Sequence, residues 1–375
     1  MHQRQPGTSD DRPRARIAAG AVVAGLVTLA LILRFGPSLL FTLALAAPRT
    51  ETWLPGVPVA PMHQEIRIPA DARRLDADLY LPARPRGAIL LVHGLSRAGR
   101  RHPELMRLAR WLARQGQLVL VPQFEGLAAF RLRGQEVEDV RASLRFLAMF
   151  RGGPIGVAGF SFGAGPALLA AADFPGLSVV GSFGGYAHLR DVIVFITTGT
   201  STFQGRRYVR QQEEYNRWKL LTLLVGFVEH GGDRERLETI AERKLADPSA
   251  PTAALESALG GEGQTMMALV LNRQEAAVTP LIERLSPRAR AALERLSPLA
   301  VVPRLSGRLL IAHGADDDSI PFTESLRLAA AARGPARLAI LETFQHVGPE
   351  PFWRSLGARA LDGWRLFRLV DDLVA

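Results

Sequence analysis

The sequence predicts an α/β fold: a mostly parallel central sheet with helices on both faces, split by a helical insertion and preceded by an apolar N-terminal span. Three observations point there. Short apolar runs alternate with helical patterns over residues 63–186 and again over 304–375, the signature of strand–helix–strand units. Between Tyr186 and Pro303 that alternation stops. Residues are 47% hydrophobic and 22% charged, a composition that can build a substantial core.

The polar stretch 1–16 precedes the uncharged run IAAGAVVAGLVTLALIL, Ile17 to Leu33. At about 1.5 Å per residue this run is just long enough to span a hydrocarbon core. Arg34 interrupts it and apolar residues continue to Ala47, so 17–47 is expected to form a transmembrane anchor. Arg12, Arg14 and Arg16 before the span place the N-terminus in the cytoplasm and the remaining chain outside it. The triplet Ala44, Leu45, Ala46 offers the alternative of a cleaved signal peptide and a secreted product. A proline-rich linker follows over 48–62.

HQEIRIP (His63 to Pro69) and LDADLYLP (Leu75 to Pro82) alternate apolar with polar residues and predict an antiparallel edge hairpin turning over Asp71 to Arg74. GAILLVHG, Gly87 to Gly94, is a solid apolar run, as expected of a strand buried on both faces. A helical pattern over Pro103 to Arg114 leads to a strand at Leu118 to Pro122 and a helix at Gln135 to Phe150. Ile155 to Phe160 reads as a strand, Ala167 to Ala172 as a helix and Leu177 to Gly185 as a strand.

The insertion, 187–303, reads as mostly helical. Gln211 to Val228 is amphipathic and becomes fully apolar, Asp233 to Leu245 is a charged helix, and Ala246 to Gly263 reads as a loop rich in Ala, Ser, Pro and Gly. Ser286 caps a helix with Pro287 at its first position. Strands return at Gly307 to Gly314 and Ala336 to Phe344, with helices over Thr323 to Arg333 and Glu350 to Val374.

Composition narrows the function. The net charge is +10, but the only lysines are Lys219 and Lys244 and the arginines are scattered, so no nucleic-acid-binding face is expected. Without cysteine there is no disulfide, thiolate nucleophile or cysteine-bound metal. No HExxH helix is present and neither lysine follows a glycine, so neither a metal nor a nucleotide cofactor is expected. Composition is silent on oligomeric state.

GFSFG, Gly159 to Gly163, matches Gly-x-Ser-x-Gly between a strand and a helix, the setting of a nucleophile elbow. Glycines flank such a serine because larger side chains collide across so sharp a turn. A serine hydroxyl is a weak nucleophile and needs a histidine to take its proton and a carboxylate to orient that histidine. Ser161 is the candidate nucleophile. His346, the only histidine after His313, sits in the loop where a base is required. The acid is one of Asp316, Asp317 and Asp318, which the sequence does not separate. Acyl transfer also needs N–H donors for the developing oxyanion; those expected are Phe162, after the nucleophile, and Leu95, in the loop after the third strand.

HGLS, GFSFG, HGADDDSIP and QHVGP together resemble the successive loops of the α/β-hydrolase family, over Gln64 to Gly185 and from Pro303 onward. The neighbourhood is similar to dienelactone-hydrolase-like and serine-aminopeptidase-like members. The resemblance implies the α/β-hydrolase fold, with the insertion as a helical cap or lid. The family pattern HGxxDxxVP maps its aspartate onto Asp317, which ranks first as the acid, with Asp316 second. VPQFEG departs from the family's usual PDxxG, with Gln123 in the aspartate's place. His93, Tyr186 and His188 are candidate substrate-pocket residues, each with loop packing as its alternative role.

The expected activity is that of a membrane-anchored serine hydrolase, carboxylesterase- or lipase-like. It would cleave an ester, or less readily a thioester or amide, of a hydrophobic small-molecule or lipid-like acyl substrate. The alternatives are an acyltransferase using the same triad and a non-catalytic binding scaffold.

Overall fold

Continuous apolar runs and short alternating ones supply the strands of one eight-stranded sheet: β1 (Met62–Ala70), β2 (Arg73–Leu81), β3 (Gly87–Val92), β4 (Gln117–Pro122), β5 (Ile155–Phe160), β6 (Leu177–Phe183), β9 (Arg308–Gly314) and β10 (Ala336–Leu341). The two strands missing from that series, β7 (Thr200–Phe203) and β8 (Arg206–Val209), pair only with each other. The computed structural model describes residues 27–31, 34–36, 38–43, 61–150, 153–342, 344–345, 348–349 and 356–374. Two compact units are present, Met1–Trp53 and Leu54–Ala375, and the sheet belongs to the second. In the first, the described residues are helical.

The strand order is β1-β2-β4-β3-β5-β6-β9-β10. β2 runs antiparallel to both β1 and β4, and every other neighbouring pair is parallel. This is the α/β-hydrolase arrangement that the sequence motifs imply. All six residues of β3 are buried, as its unbroken apolar run requires. The helix Pro103–Arg114 presents buried Leu105, Ala109 and Leu112, at helical spacing, on one face, and its proline stands at the start, where no N–H is needed.

Connectivity decides where a site can form. From β3 the chain passes to β4 on one side, and its next strand, β5, lies on the other side of β3. At that reversal the loops leaving β3 and β5 part and open a crevice beyond the carboxyl ends of the strands, where open α/β sheets bind ligands.

The structure differs from expectation within the insertion. The β7–β8 hairpin replaces part of an expected helical stretch; it turns at Gln204 and Gly205, both in the left-handed region, and four-residue strands carry too little periodicity to be read. Part of the expected loop Ala246 to Gly263 is helical, over Ala253–Ser257 and from Gly261 onward. The helix after Ser161 begins at Ala164, because the glycines of the elbow belong to the turn itself.

The expected membrane anchor needs correction. Among the described residues no helix is long and apolar enough to cross a membrane. Within the run 17–47, residues 17–26, 32–33, 37 and 44–47 lie outside the described residues. The anchor, the exported catalytic domain that depended on it and membrane attachment as a partner interaction are therefore withdrawn.

Candidate active site

Ser161 stands at the end of β5 with φ of 50°, in the left-handed region. For a side chain with a Cβ this conformation costs roughly 1–2 kcal/mol. The other non-glycine residues there, Asp71, Phe130 and Gln204, lie in turns or loops; Ser161 alone joins a sheet strand directly to a helical turn among the described residues. Strain held at such a junction is a mark of a working site.

The flanking glycines are required by contact. A Cβ on Gly159 would lie 2.5 Å from Ala164 Cα, and one on Gly163 would lie 2.8 Å from Val92 O and closer still to His93 O. Gly94 faces the elbow from the β3 side: a Cβ there would sit 2.9 Å from both Ser161 Cβ and Phe160 O. The loop after β3 at Gly94 thus lies directly against Ser161.

His93 is buried and neutral. Burial pushes its pKa down to about 4, Nδ1 lies 2.8 Å from Gly94 O, and Nε2 accepts the Phe124 N–H at 3.1 Å. Both ring nitrogens are occupied in tying the loop after β3 to the end of β4. Gln123 serves the same junction, its side-chain oxygen accepting the Arg100 N–H at 3.1 Å.

The three aspartates after β9 part ways. Asp317 is 3% exposed; its Oδ1 accepts the N–H groups of Ser319 at 2.8 Å and Ile320 at 3.0 Å, and its Oδ2 lies 3.4 Å from His313 Nε2. His313 in turn pairs with Ser325 Oγ at 2.7 Å and Ile320 O at 2.9 Å, fixing the loop from beneath. Asp316 instead reaches a half-exposed ion pair with Arg210 at 2.8 Å. Asp318 accepts from Ser319 Oγ at 3.4 Å. His346 lies outside the described residues.

Tyr186 is fully buried; its hydroxyl donates to Leu296 O at 3.0 Å and its ring packs 5.6 Å from that of Phe162. His188 pairs with Glu294 at 3.3 Å. Neither lines the cavity described next. His93, Tyr186 and His188 stand out in the sequence for their place in the chain, and each makes packing or loop contacts in the fold.

A small cavity opens between the elbow and the insertion, lined by Leu95 and Phe162 from the core, Ser319 from the acid loop, and Ile196, Asn216, Lys219, Leu220 and Leu223 from the insertion. Five of these come from two insertion helices, Leu189–Thr198 and Glu214–Val225, so the insertion roofs the site. Asn216 fastens the roof: its Nδ2 donates to Asp318 O at 3.0 Å and its Oδ1 accepts from Ser319 Oγ at 3.2 Å. Burial pushes the Lys219 ammonium below its ordinary range, against the pull of Asp318 and Asp317. Sequence reading missed Asn216 and Lys219; the available signal was one of only two lysines inside an apolar helix. Among the described residues no group of three or more His, Asp or Glu side chains could hold a metal ion.

No protein-family model matches the chain, and no curated protein sequence does. Among solved structures the chain is similar to the esterase domain of a Rhodothermus marinus protein, at 17% identity over 81% of this chain and 98% of that one, with a TM-score of 0.44. It is also similar to an alpha/beta hydrolase, GrgF, from Penicillium sp. sh18, at 13% identity over 82% and 98% of the two chains, TM-score 0.47. A third is dienelactone hydrolase from Anabaena variabilis, at 15% identity over 81% and 97%, TM-score 0.42. Likeness at this level transfers neither a substrate nor an activity.

Proposed function

We propose that this chain is a serine hydrolase of the α/β-hydrolase family that cleaves an ester through an acyl-enzyme on Ser161. The observation that carries the reading is the left-handed Ser161, held between β5 and a helical turn with the Gly94 turn packed against it. A small polar residue in an ordinary glycine-rich loop has no need of that strain.

In this reading Ser161 Oγ attacks the ester carbonyl carbon as His346 takes its proton. The carbonyl π electrons move onto oxygen, where the N–H groups of Phe162 and Leu95 stabilise the oxyanion. Its collapse expels the alcohol, which receives the proton from His346. Water, deprotonated by the same histidine, then releases the acid and restores Ser161. Asp317, with one oxygen already held by two backbone N–H groups, is the acid that orients His346.

Labelling with a fluorophosphonate tests this. Wild type is expected to label and Ser161→Ala to lose both labelling and ester turnover, on the order of a millionfold in kcat. A well-folded wild type that neither labels nor turns over p-nitrophenyl esters of short to medium chain length would overturn the reading.

A further inference from the structure

The peptide group that joins Asp318 to Ser319 is bonded at both ends, to the acid on one side and to the insertion on the other. Its N–H donates to Asp317 Oδ1 at 2.8 Å, and its C=O accepts from Asn216 Nδ2 at 3.0 Å. Asn216 stands in the first turn of the insertion helix Glu214–Val225 and is buried, so an unpaired amide there would cost free energy. Its amide oxygen accepts from Ser319 Oγ at 3.2 Å, and both ends of the amide are thus spent on the acid loop. A planar peptide cannot turn its N–H without turning its C=O, and hydrogen bonds in series polarise and strengthen one another. The direction in which the Asp317 carboxylate is held therefore depends on a residue of the insertion. From the core side, His313 Nε2 lies 2.9 Å from Ile320 O, and the Ile320 N–H gives Asp317 Oδ1 another bond at 3.0 Å.

We infer that Asn216 is a positioning residue for the catalytic acid: by fixing the peptide between Asp318 and Ser319 it holds Asp317 in the orientation that the base needs. The inference rests on the hydrolase reading and on Asp317 as its acid. The insertion then completes the catalytic machinery as well as covering it, and Asn216 acts through Asp317 rather than on substrate. Because the Ile320 N–H remains when the Asn216 bonds are removed, the carboxylate is tilted rather than released. The loss is partial, about ten- to a hundredfold in kcat, as expected of a displacement of up to about 1 Å. Removing the charge of the carboxylate itself costs on the order of ten-thousandfold. The Arg210–Asp316 ion pair also ties the insertion to this loop, but through a half-exposed side chain and not through the peptide that holds Asp317.

The test is a double-mutant cycle on kcat for a p-nitrophenyl ester, with wild type, Asn216→Leu, Asp317→Asn and the pair, each checked for folding by thermal melt. Leucine copies the branched shape of asparagine without its hydrogen bonds; Asn216→Ala is carried through the same cycle in case the larger side chain strains the roof. Asn216→Leu is expected to lose about ten- to a hundredfold in kcat with KM within a few-fold of wild type. In the Asp317→Asn background the same substitution is expected to cost less than about threefold, since the charge it positions is gone. Arg210→Gln, which cuts the other tie, is expected to keep kcat within a few-fold. A loss as large in the Asp317→Asn background as in wild type, a change confined to KM, or wild-type kcat in both Asn216 variants overturns the positioning role and leaves the hydrolase reading standing. Failure of both Asn216 variants to fold assigns the residue to structure and overturns the role as well. Wild-type kcat in Asp317→Asn removes that acid from the reading and the positioning role with it. A folded wild type that neither turns over the ester nor labels with a fluorophosphonate overturns both.

Discussion

Gly163→Ala adds one methyl group where the elbow touches the loop after β3. That carbon would sit 2.8 Å from Val92 O and nearer still to His93 O. An ordinary carbon–oxygen contact is about 3.3–3.6 Å, so the two backbones must separate by at least about 0.5 Å. Neither atom is the end of a flexible side chain, and both segments are held by parallel pairing of β3 with β5. Overpacking of this kind costs about 1–3 kcal/mol. At roughly 2–4 °C per kcal/mol, the range for domains of about 150–250 residues and an upper one for this longer chain, Tm falls by at most roughly 2–12 °C. The same separation moves the Leu95 N–H away from the oxyanion, and misplacement of about 1 Å costs about a hundredfold in rate. The expected kcat/KM for a p-nitrophenyl ester is therefore about ten- to a hundredfold below wild type, measured on the folded variant below its Tm. Gly231→Ala is the control: nothing lies within 4 Å of the added carbon, and Tm is expected to stay the same or rise slightly. Wild-type Tm and kcat/KM in Gly163→Ala would refute the close approach on which the oxyanion site depends.

Other predictions follow from the same contacts. Asp317→Asn is expected to lower kcat on the order of ten-thousandfold by disturbing the base that it orients. Asp316→Asn gives up a half-exposed ion pair with Arg210 and should change stability by no more than about 1 kcal/mol; activity lost only in Asp316→Asn reverses the assignment. Glu324 is fully buried where the insertion leaves the core, accepting the N–H groups of Ala187 at 3.0 Å and His188 at 2.8 Å. Burial, then the Asp191 charge, raises its pKa to about 7. A carboxyl raised in the folded state binds its proton more tightly there than when unfolded, so its contribution is full below about pH 4.5 and is lost as pH rises through about 7. Chemical denaturation between those pH values should show wild type losing stability relative to Glu324→Gln by a few kcal/mol; parallel profiles would sink the assignment. Labelling at Ser161 completes the set.

Much of the fold and part of the site are legible in the sequence, because they are written in local spacing. The antiparallel β1–β2 hairpin follows from period-two alternation, and its turn at Asp71 is one of the few left-handed non-glycine positions among the described residues. The elbow follows from two glycines around a serine between a strand and a helix, since the backbone there admits no Cβ on either side. His346 is placed by its position in a loop and lies outside the described residues. The membrane anchor is withdrawn because among the described residues no helix is long and apolar enough to cross a membrane.

What the sequence alone determined is the local conformation of the core segments: which runs form the sheet, where the chain must turn and which serine is forced into a strained φ, but not the β7–β8 hairpin or the helices within 246–263. Contacts between distant segments depend on sheet order, and only the tertiary structure decided them. It set Gly94 against Ser161 across the β3–β5 pairing, bonded His93 to Phe124, Tyr186 to Leu296 and His188 to Glu294, and buried Asp317 while leaving Asp316 to Arg210. It also laid Lys219, more than fifty residues away in sequence, beside Leu95 and Phe162. The reason is physical: spacing along the chain fixes backbone angles and the face on which a side chain stands, whereas which faces meet is settled by burial of the whole core at once.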